Sequence, residues 1–143
     1  MDKILSMLGM MRRANAIQIG ETNAGSAVRG GKGKLLLLAA DASDNAKSRA
    51  EGFARGRNVT TVPLPYTKED ISAAVGVSGC SMAAVTDLGF ANAVMKALSE
   101  AQPDVYSAAA EEVEERFQKA QRRKKEAAAH ERNKRFGKRR TNV

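Results

Sequence analysis

Leu35-Leu36-Leu37-Leu38-Ala39 carries no polar side chain at any of five successive positions, and it constrains the chain more than any other stretch. A strand turns successive side chains to opposite faces. An uninterrupted apolar run between turn signals therefore reads as a strand covered on both faces. The segments around it supply the cover. Ile4, Met7, Leu8 and Met11 recur at helical spacing and predict an opening amphipathic helix. Ile17 to Gly20 predicts a short strand, followed by a helix that ends at Gly30-Gly31, where glycine suits a left-handed cap. Ser43 is a candidate N-cap for a helix burying Ala46, Ala50 and Phe53 and ending at Gly56. Val59 to Val62 is β-branched and bounded by Pro63 and Pro65, which predicts a strand.

Thr67 with Asp70 three residues later marks the next helix start, with Ile71, Ala74 and Val75 facing inward and Gly76 as its stop. Val77 to Ser81 forms a loop of mostly small residues feeding a strand from Met82 to Thr86. Asp87 then caps a helix whose inner face is Phe90, Val94, Ala97 and Leu98. Strands alternate with helices throughout, so the fold class is α/β. The expected architecture is a three-layer α-β-α sandwich around a four-stranded mixed sheet, with a C-terminal basic helical tail. Pro103 marks the boundary, giving a globular unit over residues 1–101 and a tail over residues 102–143.

Charge divides the chain the same way. Residues 116–143 hold twelve Lys/Arg and two Glu, whereas residues 1–115 hold twelve basic and fourteen acidic residues. A near-neutral body thus carries a cationic tail, the composition of a protein that seeks a polyanion. The tail opens with an apolar stripe of Tyr106, Ala110, Val113, Phe117 and Ala120. Two heptads are short for a coiled coil, and the stripe is expected to pack on its own domain. Beyond Ala120 the stripe ends. Arg122, Arg123, Lys124 and Lys125, then Lys138, Arg139 and Arg140, are candidate phosphate contacts on a solvated helix broken at Gly137. Glu115 and Lys119 are spaced as an i,i+4 pair.

Cys80 is the single cysteine and His130 the single histidine, so neither an internal disulfide nor a zinc-type ligand set is available; with His130 in the charged tail as exposed helix surface, Cys80 reads as a small buried or loop residue rather than a catalytic thiol. Gly30-Gly31-Lys32-Gly33-Lys34 follows a helix and precedes a strand, the reverse of a phosphate-binding loop's order. The sequence calls for no enzyme, cofactor or metal. It has no membrane-length apolar run and no signal-peptide pattern, and a cytoplasmic location is expected. Aromatic residues make up 4% and tryptophan is absent, too little for single-strand recognition by base stacking. RNA recognition by such a chain would use backbone amides and short polar side chains.

The segment from Gly20 through Lys34-Leu35 resembles the RNA-contacting helix and following strand of the ribosomal protein "L-seven-Ae" family. The opening helix, with Leu8-Gly9 and Arg12-Arg13-Ala14, looks like that family's bacterial YlxQ-type members. Leu38 to Ser43 and Val85 to Ala91 are similar as well, so the resemblance spans about residues 3–100. It implies a kink-turn RNA-binding fold, with ribosomal or other structured RNA, and the ribosome, as partners. Carried onto this chain, the RNA surface comprises Gly20, Glu21, Thr22, Asn23, Ser26, Arg29 and Lys32, together with Val77, Ser78, Gly79 and Cys80 before the fourth strand. The family signature reads Gly-x-Asn-Glu-x-x-Lys. Here Thr22 stands at its Asn, Asn23 at its Glu and Ser26 at its Lys, so the three polar side chains of the signature are replaced. The alternative reading is a protein-interaction module, with Tyr106, Val113 and Phe117 binding a partner helix and the basic end gripping an acidic partner.

Overall fold

The structure, a computed structural model, describes residues 2–141, and side chains through residue 134. Six helices and four strands follow in the order α1 (Lys3–Arg13), β1 (Ile17–Ile19), α2 (Glu21–Arg29), β2 (Leu35–Leu38), α3 (Asp44–Ala54), β3 (Thr60–Pro63), α4 (Lys68–Val75), β4 (Met82–Val85), α5 (Leu88–Ala101) and α6 (Pro103–Thr141). The strands form one mixed sheet in the order β1-β4-β2-β3. β4 pairs antiparallel with both β1 and β2, and β2 pairs parallel with β3.

The all-apolar run is central, as its composition requires. Leu35 and Leu37 enter one core with Ala83 and Val85, beneath α1, α4, α5 and α6. Leu36 and Leu38 enter a second core with Met82 and Ala84, beneath α2 and α3. The result is a three-layer α/β sandwich. Local chemistry sets the helix starts: Asp2, Ser43 and Asp87 accept from first-turn amides, and Thr67 with Asp70 forms a reciprocal capping box. Gly25 and Gly9 admit close neighbours from other helices. A Cβ on Gly25 would lie 2.6 Å from the Phe53 ring, and one on Gly9 would lie 3.0 Å from the Ala74 carbonyl oxygen.

The packed body runs past residue 101. Tyr106 and Val113 are buried in the first core at 3% and 0% exposure. The Tyr106 hydroxyl donates to the Pro63 carbonyl at 2.6 Å, and the Arg116 guanidinium donates to the Thr60 hydroxyl at 2.9 Å. These contacts hold α6 antiparallel to β3 and cover that edge strand, whose free backbone would otherwise invite pairing. Lys96 of α5 and Glu114 of α6, 3.4 Å apart, close the outer side. Beyond Ala120 the side chains from Arg122 to Ala128 are exposed. The helix nonetheless continues and spans Gly137 rather than stopping there. Arg116 pairs with Glu112 at 3.0 Å, while Glu115 and Lys119 form no ion pair. Among the described residues, no helix is long and apolar enough to cross a membrane.

Candidate functional site

A groove of about 570 Å³ runs along the flank of α2 beside the edge strand β1. Asn23, Ser26, Ala27 and Gly30 line one wall, one stripe of the helix, while Asn15, Gln18, Thr86 and Lys32 complete it. The local sequence explains the placement. In Ile17-Gln18-Ile19 the two isoleucines pack on the first core, so alternation turns Gln18 to the α2 side. Asn15 takes φ 56° in the α1–β1 turn, a left-handed conformation that Asn tolerates well. Gly20 takes φ 94°, and its amide donates to the Met82 carbonyl at 2.9 Å. Having no side chain, Gly20 leaves the first amides of α2 without a side-chain cap.

Asn23 donates its Nδ2 to the Ile19 carbonyl at 3.0 Å. That bond fixes the side-chain amide and leaves Oδ1 as its remaining acceptor. The neutral side chain therefore offers one carbonyl oxygen where a carboxylate offers two. Glu21, in the first turn of α2, pairs with Arg49 of α3 at 2.6 Å. The carboxylate thus meets a cation beside the positive helix end, which favours negative charge. Among the described side chains, Lys32 is the groove's cation.

The expected surface residues divide in three. Asn23, Ser26 and Lys32 come together in the groove; Gly20, Glu21 and Thr22 precede Asn23 at the start of α2 and do not line it, and the Glu21 carboxylate is held by Arg49 of α3. Arg29 turns away: its guanidinium lies 5.3 Å from the centroid of the Phe53 ring, within cation–π range, on the side facing α3. The loop before β4 sits at the Gly20 end of the sheet. There Ser78 and Gly79 are exposed, while Val77 is half-buried against the first core. Cys80 points inward at 1% exposure, and burial pushes its thiol up to about 11. Its side chain is a core group, and the place given it on an RNA surface is corrected accordingly. Its amide is likewise used, donating to the Ser72 hydroxyl at 3.2 Å.

In the tail, Arg122, Arg123, Lys124 and Lys125 are exposed, whereas Lys138, Arg139 and Arg140 lie outside the residues with described side chains. Sequence reasoning passed over Asn15, Gln18, Thr86 and Arg49. The polar residue between two isoleucines was a readable signal for Gln18. Arg49 carried none, because its partner is 28 residues away. Among the described residues, no group of acidic, histidine or cysteine side chains could hold a metal ion.

Solved structures share the fold, among them these two. One is a protein of unknown function from Bacillus halodurans, at 25% identity and a TM-score of 0.60, covering 64% of this chain and 92% of that one. The other is a Giardia lamblia 15.5kD RNA binding protein, at 22% identity and a TM-score of 0.54, covering 68% of this chain and 82% of that one. No protein-family model matches the chain, and no curated protein matches it.

Proposed function

We propose that this chain is a binding protein for structured RNA of the kink-turn class, ribosomal or otherwise, and not an enzyme. The observation that carries the reading is the groove beside α2. The start of α2, just before Asn23, has no side-chain cap, an Asn23 acceptor and the Ser26 hydroxyl line the groove wall, and Lys32 lines it beyond the helix end. Helix-end amides favour an anion, and short polar side chains can bond base edges and the ribose 2′-hydroxyl of RNA. The fold shared with the Giardia lamblia RNA binding protein supports the reading. The exposed cations after Ala120 suit phosphates and would add affinity without sequence preference. The rival reading, a partner helix docking on Tyr106, Val113 and Phe117, finds Tyr106 and Val113 occupied in this chain's own core, while Phe117 is half-buried.

Asn23→Ala and Ser26→Ala test the proposal. Each should weaken binding to a kink-turn RNA; the melting temperature should stay nearly unchanged for Ser26→Ala and fall slightly for Asn23→Ala, which loses the exposed bond to the Ile19 carbonyl. Wild-type affinity in both variants would move the site elsewhere.

A further inference from the structure

We propose a second phosphate site, under the sheet end opposite Gly20, that continues the α2 groove and takes the backbone of the same RNA; it rests on the RNA-binding reading above. A cleft of about 470 Å³ lies where α6 leaves the body. Lys34, Arg116, Lys119 and Arg123 line it with Asn58, and Glu112 and Glu115 lie on its α6 side. The Arg116 guanidinium is already engaged by Glu112 and Thr60. That leaves Lys119 and Arg123, together with Lys34, whose ammonium donates to the Gly31 carbonyl at 3.2 Å and keeps two further N–H donors, to face a ligand. Among the described residues Glu115 is the carboxylate without a partner there, and the Asp87 carboxylate at the neighbouring start of α5 is engaged by the Phe90 amide.

The two hollows adjoin along two segments of chain. Lys32 lines the groove and Lys34 the cleft; Thr86 lines the groove and Leu88 the cleft. The Lys34 amide bonds the Val85 carbonyl at 2.7 Å, so the two segments lie on neighbouring strands, about 4.8 Å apart. Polar groups therefore run from Asn23 through Ser26, Lys32 and Lys34 to Lys119 and Arg123. Because Val113 is fully buried and Arg116 is pinned to Thr60, α6 holds its first basic turn in a fixed position beside Lys34. A freely moving tail would give only smeared attraction. This one gives a cleft with cations on both walls, which suits a sugar–phosphate backbone better than a base edge.

The test is the triple variant Lys34→Gln, Lys119→Gln and Arg123→Gln in the full chain, set against a control triple of Lys3→Gln, Lys47→Gln and Lys68→Gln with the same loss of charge. Binding to a kink-turn RNA carrying a duplex arm is followed across salt concentrations. The cleft triple should flatten the slope of log affinity against log salt by about 2 to 3, at ~0.7–0.9 per phosphate contact. The control triple should change it by less than about 1. Equal slopes for the two triples would overturn the site, because net charge alone would then explain the loss. If the intact chain binds and Asn23→Ala weakens it while the cleft triple changes nothing, the cleft inference fails and the RNA-binding reading stands. No binding by the intact chain overturns both.

Discussion

At Asn23 a single hydrogen bond sets what the groove offers. Its Nδ2 is held by the Ile19 carbonyl, so the outward group is a lone acceptor. Asn23→Glu would exchange that internal bond for a second acceptor, and Ser26→Lys would place a cation one helical turn away. The double variant should bind a kink-turn RNA more tightly than the wild-type chain and melt slightly lower, having lost a bond worth ~1 kcal/mol or less at an exposed site. An affinity gain on plain duplex of the same size would mean that only charge had been added. Buried titratable groups make a separate prediction. Burial raises the Cys80 thiol from 9.0 to about 11, raises the Tyr106 phenol, and with the Asp2 carboxylate raises the Tyr66 phenol. Each is held neutral by the fold and loses its proton more readily when unfolded. Their contribution is complete below the unfolded values of 9.0 and 10.0 and is lost as pH climbs through the folded ones. The melting temperature should therefore fall from about pH 9 upward, and Cys80→Ala should remove the earliest part of that fall. A flat profile to pH 11 would mean that these groups are solvated.

At the scale of the element, α6 decides where the globular unit ends. Truncation after Ala101 removes Tyr106 and Val113, whose burial is worth about 1.5–3 kcal/mol each, and it uncovers β3. Set against a typical domain stability of about 5–15 kcal/mol, that chain should melt far lower and less cooperatively. Truncation after Ala120 should leave the melt near that of the full chain. Circular dichroism on both separates the outcomes, and equal melting temperatures would mean that α6 is dispensable. The element order was legible because periodicity, caps and the Leu35–Ala39 run are local signals. Gly31 takes the left-handed turn expected after α2, and Ser43, Thr67 and Asp87 cap as their sequence contexts predict. Strand order was less so, since it depends on pairings between segments as distant as Ile17 and Val85. The groove was legible in part. Asn23, Ser26 and Lys32 lie close together in sequence, whereas Thr86 reaches it only through β4. The turning away of Arg29 and Cys80 depends on Phe53 and on the first core, which no local pattern around either residue announces.

For the whole molecule, the sheet has two unlike ends. The α2 amides and the Ser78-Gly79 turn stand at one end, and the cationic part of α6 leaves from the other, with Arg122 to Lys134 spanning about 20 Å at 1.5 Å per residue. The groove is polar and carries one described cation, so under the proposed RNA-binding function it would serve selection among RNAs. The α6 extension is dense in Lys and Arg, so it suits attraction to any phosphate chain. Deleting residues 121–143 and measuring affinity for a kink-turn and for a plain duplex across salt concentrations tests that division most directly. With about six phosphates engaged, the full chain should show a slope of about −4 to −5. The deletion should flatten that slope and weaken both RNAs by a similar factor, with preference for the kink-turn kept. An unchanged slope, or a preference lost with the tail, would contradict the account.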